Sequence, residues 1–526
     1  MTLAVALVLR SWRLADRSIQ FDEAFSWRLA RCGWAELLNR ATQDNNPPLY
    51  YGLLKLWTGC FGDSPLALRS LSVAAGTAAC FGIYLLVVEA YRGGVGVQRA
   101  RWMAVFTSAL AATCVLQVRW GWEARMYALG AALSAFSGWL LLRALGVSRS
   151  TEAAPERGRA ADRLRGAPCV GNRSENGSPP WWWVAYVVVA LAFAFTHTAA
   201  VLSLVAQAVF AAGYLVAASG WRIRPLLASH KFRHTALAAA AVAAGWGAWL
   251  PVLLSQREHV RQTPWVWHFD AWGLPVVCHQ MFVDTEEFVG TRPEALYAAA
   301  LCAGVLLALL WRPHSGDWFG FASATVPLTI LVAITLADAR IFHLRYLVFS
   351  QLFLLTAIAR LVGRIPSTTL RTLVAAVVVA NLLLLYADFW RRLDIAGKPG
   401  VRAAVNHIIE QGGGSDDVIV ASPFFYLAMM YHLPVRDNCR LLDPGRPLWH
   451  YEGAAVVAKR ELIATDELRA LRGPRLWVLN NDHGRWPPAQ VQPPAGADWR
   501  EVSREWFPEP YAVQGWAQLI EYRVSP

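Results

Sequence analysis

Long apolar stretches recur along the first part of this chain, separated by shorter polar segments. A helix needs about 20 mostly apolar residues to cross the hydrocarbon core of a bilayer. This length predicts about eleven transmembrane helices, near residues 1–14, 66–88, 102–118, 124–145, 182–196, 198–218, 235–254, 296–311, 318–337, 344–360 and 370–388. The first stretch has nine residues before Arg10, so it spans only if the helix continues through Leu14 and the Arg10 side chain extends to the interface.

The composition agrees with a lipid environment. Of the 526 residues, 56% are hydrophobic and 16% are charged, whereas soluble proteins carry about 25% charged residues. The net charge of +12 does not indicate nucleic acid, because the basic residues are not gathered into one stripe or helix face. The sequence therefore predicts a polytopic α-helical membrane protein that lies in the bilayer and does not bind nucleic acid.

The arginine-rich gaps alternate with gaps that have little arginine, and this alternation predicts a topology. Cytoplasmic loops carry the excess of Lys and Arg. The gaps expected in the cytoplasm are residues 92–101, 149–173, 222–233, 312 and 360–371. We therefore expect a multi-pass protein of the cytoplasmic (inner) membrane, with a transmembrane domain over 1–388 and everything after it on the extracytoplasmic side.

The tail, residues 389–526, is polar and rich in proline. The spacing of its apolar residues predicts helices in "GVRAAVNHIIEQ" (400–411) and "FFYLAMMYHL" (424–433). Short apolar runs predict buried strands in "DDVIVAS" (416–422) and "PRLWVLNND" (474–482). The tail is expected to form an extracytoplasmic α/β domain. Its sequence has no GxGxxG and no phosphate loop, so a nucleotide site is not predicted.

The first loop expected outside, residues 15–64, is much longer than the usual connection between helices, and loops of this length are commonly functional. It contains "QFDEAFSW" and "QDNNPPLYYGLLKLW", and the Pro-Pro pair of the second fixes the backbone before a following helix. The alternative is an amphipathic interfacial hairpin whose Trp and Tyr lie among the lipid headgroups. The candidate site residues of this loop are Asp22, Glu23, Asp44, Asn46 and Tyr50.

Further polar residues lie at the outer ends of predicted spans. "RWGWEARMYAL" places Glu123 and Arg125 at the start of a helix, where ionisable groups are costly enough to indicate function, with a structural ion pair as the alternative. His197, in "FAFTHTAAV", is either satisfied within a turn or a substrate contact. "RIFHLRYLVF" contributes Arg345 and Tyr346, and the planar guanidinium fork suits a phosphate.

Carboxylates and arginines together at the outer face indicate a restricted chemistry. A carboxylate acts as a general base or holds a divalent cation, and an arginine stabilises a phosphate leaving group. Transfer of a sugar from a lipid-linked phosphate to an acceptor hydroxyl uses both. If a divalent cation (Mg²⁺ or Mn²⁺) takes part, its candidate ligands are Asp22, Glu23 and Glu123. The eight cysteines show no metal-binding spacing.

Four stretches, in this order, resemble glycosyltransferase family 39, the membrane enzymes that include protein O-mannosyltransferases and bacterial aminoarabinose-type transferases. They are "FDEAFS", "NNPPLYYGLLKLW…FGDSPLALRSLSV", "WEARMYAL" and "RYLVFSQLFLL". The resemblance implies the type C glycosyltransferase fold and a polyprenyl-phosphate-sugar donor. It also implies that Asp22 is the catalytic base and Glu23 its supporting neighbour. By the same resemblance, Glu123 with Arg125 forms a polar pair, and Arg345 with Tyr346 suits the lipid phosphate.

The sequence thus predicts an inverting membrane glycosyltransferase, hexosyl or pentosyl, with Asp22 as general base. Its acceptor hydroxyl belongs to a lipid, a glycan or a protein of the cell envelope. One alternative is a membrane transporter or lipid-sugar flippase, which predicts polar residues in the middle of spans and inverted repeats. Another is a non-catalytic membrane assembly protein on the same scaffold, which would tolerate the loss of Asp22.

Overall fold

A computed structural model describes the chain in two compact units. The membrane unit comprises Met1–Ser11, Ser72–Trp122 and Met126–Tyr386, and the loop-tail unit comprises Trp12–Leu71, Glu123–Arg125 and Ala387–Pro526. The arginine-rich gap at 149–173 lies outside the described residues. These are residues 1–148, 179–261, 270, 272–283, 291–337, 342–471, 474–482, 489–510 and 515–524.

Long apolar helices dominate the described part of the membrane unit, as the hydropathy predicts. Seven helices there are long and apolar enough to cross a bilayer, and up to nine spans result if each of two bent pairs counts as one. The bent pairs are Val97–Thr113 with Val115–Trp122, at 61°, and His230–Gly247 with Leu250–Gln256, at 50°. A multi-pass helical membrane protein is therefore confirmed. The seven helices are Pro65–Val95, Tyr127–Leu145, Ala200–Ala218, Arg292–Leu309, Ser315–Leu336, Leu344–Gly363 and Thr368–Leu393.

Two predicted spans, 1–14 and 182–196, coincide with shorter helices. Thr2–Ser11 has 10 residues and Pro180–Ala194 has 15. At 1.5 Å per residue they are about 15 Å and 22 Å long, against about 30 Å of hydrocarbon core. A third short apolar helix, Gly273–Val283, lies between the predicted spans 235–254 and 296–311. The total of eleven spans therefore stays a prediction.

The structure differs from the sequence expectation at Arg10, which is buried and does not extend to an interface. Its guanidinium donates to the carbonyl oxygens of Ala111 at 3.0 Å, Ala112 at 3.2 Å and Gln117 at 3.3 Å. The Ala111 and Ala112 carbonyls lie at the end of the first helix, beside the 61° break at Cys114, where the last carbonyls of a helix have no N–H donor in their own helix. Arg10 supplies the missing donors, which explains why it lies inside the protein.

In the loop-tail unit, the first loop folds into three helices: Phe21–Arg31, Trp34–Thr42 and Leu49–Phe61. The last of these begins directly after the Pro-Pro pair, with Pro48 at its N-cap, as the rigid backbone of proline predicts. The Trp34–Thr42 helix turns Leu37 inward, while other positions along it remain exposed.

The tail contains the predicted elements. Two α-helices of its described part, Gly400–Glu410 and Pro423–His432, lie at the predicted positions, which confirms both helical predictions. The two strand predictions are confirmed as β1 and β4. The described part of the tail has six strands: β1 (Asp417–Val420), β2 (Cys439–Leu442), β3 (Leu462–Ile463), β4 (Arg475–Asp482), β5 (Trp499–Pro508) and β6 (Trp516–Val524).

These strands form one mixed sheet in the order β3-β2-β1-β4-β6-β5. Strands β3, β2, β1 and β4 are parallel, whereas β6 runs antiparallel to both β4 and β5. Val418 pairs with Cys439 on one side and with Trp477 on the other. The interior residues of β4 are all buried, as expected of a central strand covered on both faces.

Side chains of the tail hold the first loop within the loop-tail unit. His432 accepts the Ile19 N–H at 3.2 Å through Nε2. Burial, together with the nearby Arg402, lowers the pKa of His432 to about 3, so its ring is neutral and able to accept. The Tyr431 hydroxyl donates to the carbonyl of Asp63 at 2.7 Å. These contacts join the end of the Pro423–His432 helix to a residue just before the first loop helix and to a residue just after the last one.

Candidate active site

Glu23 and Arg69 form a buried ion pair in the loop-tail unit. Both side chains are fully buried, and the guanidinium donates from Nε to Oε1 at 2.7 Å and from Nη2 to Oε2 at 2.6 Å. Arg69 also donates to the carbonyls of Leu14 at 2.7 Å and Ser18 at 2.9 Å. Burial alone would raise the pKa of Glu23, but Arg69 holds it below its usual value. Glu23 is therefore a fixed carboxylate that anchors the loop.

The same carboxylate positions the turn at residues 123–125. Glu23 Oε1 accepts the N–H of Ala124 at 3.1 Å, and the N–H of Arg125 donates to the carbonyl of Glu123 at 2.6 Å. The side chains of Glu123 and Arg125 are buried. Glu23 thus ties the turn that carries Arg125 to the helix that carries Asp22.

Asp22 has a different environment from its neighbour. Its side chain is 35% exposed, whereas that of Glu23 is 0% exposed. The Arg125 Nη2 atom lies 4.0 Å from Asp22 Oδ1, and Arg125 Nη1 donates to the Asp22 carbonyl at 3.3 Å. Asp22 also lies in the first turn of the Phe21–Arg31 helix, where the helix dipole favours negative charge. Asp22 is thus an accessible carboxylate beside a buried guanidinium.

A further acid joins this network through a tyrosine. The Tyr51 hydroxyl donates to Asp44 Oδ2 at 2.8 Å, and Arg125 Nη1 donates to the Tyr51 hydroxyl oxygen at 3.3 Å. Asn46 Nδ2 donates to the same oxygen of Asp44 at 3.4 Å. Burial raises the pKa of Tyr51 well above its usual value, so its hydroxyl keeps its proton. The predicted Tyr50 is buried, with its ring centroid 6.1 Å from that of Tyr51.

Three other predicted residues cluster within the membrane unit. The ring of His197 lies 5.0 Å from that of Tyr346 and 5.4 Å from that of Tyr127. The Arg345 guanidinium carbon lies 5.8 Å from the Tyr127 ring centroid, within reach of a cation–π interaction. His197 Nδ1 accepts the N–H of Ala199 at 2.9 Å, so a neutral ring carries its proton on Nε2. We call His197, Tyr127, Arg345 and Tyr346 the arginine–aromatic cluster.

The predicted site residues therefore fall into two groups. The loop-tail unit contains Asp22, Glu23, Asp44, Asn46, Tyr50, Glu123 and Arg125, and the membrane unit contains His197, Arg345 and Tyr346. Arg69 and Tyr51 were not predicted. The available signal for Arg69 was its isolated charge at the start of an apolar span, because such a charge requires a buried partner.

The residues around Asp22 do not offer the ligand set of a typical divalent-cation site. Both oxygens of Glu23 accept hydrogen bonds from Arg69, and Oε1 also accepts from Ala124. Arg125 lies close to Asp22 and would repel a cation there. Within the described part of the chain, no group of three or more His, Cys, Asp or Glu is arranged to hold a metal ion. Glu23 does not fit as a metal ligand, and the divalent cation stays a prediction.

The structure resembles a solved crystal structure over nearly the whole length of the chain. ArnT from Cupriavidus metallidurans bound to undecaprenyl phosphate aligns with a TM-score of 0.55 and 12% identity, over 99% of this chain and 97% of that chain. The apo form of the same protein aligns with a TM-score of 0.54, 12% identity and the same coverage. No family model matches the sequence, and no curated protein matches it. The likeness confirms the predicted type C glycosyltransferase fold.

Proposed function

We propose that this chain is an integral membrane glycosyltransferase that moves a hexosyl or pentosyl group from a polyprenyl-phosphate donor to an acceptor hydroxyl. The observation that carries the proposal is the contrast between two adjacent acids. Glu23 is buried and neutralised by Arg69, whereas Asp22 is accessible beside Arg125. An accessible carboxylate held in place by a buried one is suited to act as a general base.

In this mechanism Asp22 takes the proton of the acceptor hydroxyl as the hydroxyl oxygen attacks the anomeric carbon from the face opposite the phosphate. The bond between the anomeric carbon and the phosphate oxygen breaks, and its electron pair leaves with the lipid phosphate. The products are the acceptor glycoside with inverted configuration and polyprenyl phosphate. Asp22 then releases its proton to water.

Glu23 and Arg125 act as positioning residues for Asp22. Glu23 holds the Ala124 amide, and Arg125 donates to the main chain of Asp22 and to the Tyr51 hydroxyl. A base displaced by about 1 Å loses much of its effect. This network therefore supports a fixed carboxylate direction.

The arginine–aromatic cluster is the proposed holder of the donor phosphate. Arg345 supplies a planar guanidinium for two phosphate oxygens, while Tyr346 and His197 offer further hydrogen-bond donors. The similar fold of ArnT was determined with undecaprenyl phosphate, which supports a polyprenyl phosphate as the carrier. We place the reaction on the extracytoplasmic side because the arginine-rich gaps favour that orientation.

The test is sugar transfer from a radiolabelled polyprenyl-phosphate sugar in membranes that contain the full chain. Asp22→Asn keeps the size of the side chain but cannot accept the proton, and we expect a rate loss of about 10²–10⁴-fold. Asp16→Asn, the same substitution at an exposed position of the same loop, should transfer at the native rate. Native transfer by Asp22→Asn would contradict the assignment of the base.

The transporter or flippase alternative has less support from the membrane unit. Its buried acids Glu89 and Asp317 accept from Arg143 and Arg360, each at 3.0 Å, and lie within about two turns of a helix end. Paired charges at helix ends are expected of structural ion pairs. The flippase would be favoured if Asp22→Asn moved a fluorescent lipid-linked sugar from one leaflet to the other in proteoliposomes while the native chain transferred no sugar to an acceptor.

A further inference from the structure

Four aromatic side chains form a row in the loop-tail unit: Trp449, Tyr451, Phe424 and Phe21. The ring centroids of Trp449 and Tyr451 lie 6.2 Å apart with 5° between their planes, and those of Tyr451 and Phe424 lie 6.4 Å apart with 8° between planes. Phe21 meets Phe424 edge-on at 5.5 Å. We call these four residues the aromatic row.

The parallel rings of the row are not in direct face-to-face contact. Rings in direct face-to-face contact lie about 3.5–4 Å apart, and the observed centroid distances are larger. Because the planes are parallel, the three rings share one orientation. Each of the four side chains is partly exposed, so the row is not closed off inside a hydrophobic core.

Local structure fixes the row beside the proposed base. The turn His450–Glu452 is held by Glu452, whose carboxylate accepts the Trp449 N–H at 2.8 Å. Gly453 follows with φ of +86°, a conformation that favours glycine. A Cβ there would lie 3.6 Å from the Phe21 ring. Since Phe21 directly precedes Asp22 in the same helix, the row ends at the residue before the proposed base.

Polar groups border the first ring. Arg446 pairs with Glu452 through two hydrogen bonds of 2.8 Å, and its guanidinium carbon lies 5.2 Å from the Trp449 ring centroid. Burial and the Glu452 carboxylate raise the pKa of Tyr451 to about 12, so its hydroxyl is neutral at pH 7. The row thus combines aromatic faces with planar charged groups and a hydroxyl.

We propose that the aromatic row binds a saccharide acceptor and directs its hydroxyl toward Asp22, an inference that rests on the proposed function. The C–H face of a pyranose ring carries partial positive charge and packs against the negative face of an aromatic ring, while its hydroxyls suit the exposed Arg446 guanidinium and the Tyr451 hydroxyl. An acyl chain would gain nothing from this charged border. A peptide that binds by strand addition needs a free strand edge, which ring faces do not provide, and a proline-rich peptide, which does dock on aromatic faces, is one of the outcomes that the test distinguishes.

The binding test uses the purified full chain in detergent, with cellotetraose, mannotetraose and chitotetraose as probes and calorimetry as the readout. We expect at least one tetrasaccharide to bind, and Trp449→Ala to weaken it about tenfold, the effect of roughly 1.4 kcal/mol. Trp449→Phe keeps an aromatic face and should bind within about threefold of native, given the similar stacking. Trp506 lies on β5, outside the row, and Trp506→Ala should bind the tetrasaccharide as tightly as the native chain does.

A second readout separates this inference from the proposed function. With the saccharide as acceptor, Trp449→Ala should raise KM, whereas Trp506→Ala should leave both KM and kcat unchanged. If the saccharide binds and Trp449→Ala weakens its binding, but no sugar is transferred, the row is a saccharide site and the proposed glycosyltransferase activity is refuted. Three outcomes, each with sugar transfer by the native chain, would refute saccharide binding by the row. No tetrasaccharide binds, Trp449→Ala binds it as well as the native chain does, or a peptide or fatty acid binds better.

Discussion

Replacement of Glu23 by Gln tests the anchoring role of this acid. Glu23 and Arg69 are both fully buried, and Gln keeps the size of the side chain but not its charge. Arg69 would then be a buried cation without its carboxylate. Removing one partner of a buried ion pair costs about 3–5 kcal/mol, a large fraction of the about 5–15 kcal/mol that stabilises a typical folded protein.

An exposed ion pair of the same geometry provides the control. Glu501 and Arg504 on β5 also form two hydrogen bonds, at 2.9 Å and 2.7 Å, but their side chains are 40% and 45% exposed. Surface pairs contribute about 0–1 kcal/mol because water screens and solvates both charges. Glu501→Gln should therefore have little effect, although it removes the same chemical group.

The assay is amide hydrogen exchange of the full chain in detergent, since exchange reports the free energy of local opening. The Ala124 amide, which donates to Glu23, should exchange faster in Glu23→Gln by a factor that corresponds to about 3–5 kcal/mol. The sugar-transfer rate should also fall at temperatures where the variant is folded, because Arg125 loses its support. Equal protection of Ala124 in both variants, or a native transfer rate in Glu23→Gln, would refute the reasoning.

Three further predictions concern other parts of the molecule. Burial raises the pKa of Glu509 to about 7, above the value of about 4.3 in an unfolded chain. The folded state therefore binds the extra proton between these values, so stability falls as the pH rises through that window. Glu509→Gln should flatten the Tm of the protein in detergent between pH 4 and 8. Tyr51→Phe removes the 2.8 Å hydrogen bond to Asp44 and should slow transfer about tenfold, as measured in the membrane assay. Arg345→Lys keeps the charge but not the planar fork and should raise the KM for the donor about tenfold, whereas Arg391→Lys, at an exposed position, should not.

Hydropathy and periodicity predicted the elements whose formation depends on local sequence. Apolar stretches of sufficient length became the long helices of the membrane unit, and the apolar run 474–482 became the central strand β4. The 61° break at Cys114 was not predictable in the same way, because no proline or glycine marks it. Its stability depends on Arg10, about a hundred residues earlier in the chain.

The candidate site shows the same division between local and distant information. Asp22 and Glu23 were identifiable as adjacent acids in a long loop, but their different environments depend on Arg69, which lies 46 positions after Glu23. Sequence alone offered two adjacent tyrosines, and only the fold distinguishes Tyr51, which bonds to Asp44. A side chain's type is local information, whereas the partner that determines its role is not.

Helix geometry gives the two acids different surroundings. Successive residues of an α-helix point about 100° apart, so two adjacent side chains meet different neighbours. In the Phe21–Arg31 helix the second acid points inward to Arg69 and the first is left accessible beside Arg125. Exchanging them, as Asp22→Glu with Glu23→Asp, would place a side chain one methylene shorter at the buried position, and it would not reach Arg69 and Ala124 together. The exchange should therefore lose both the anchor and the transfer activity, although the composition and net charge of the helix are unchanged.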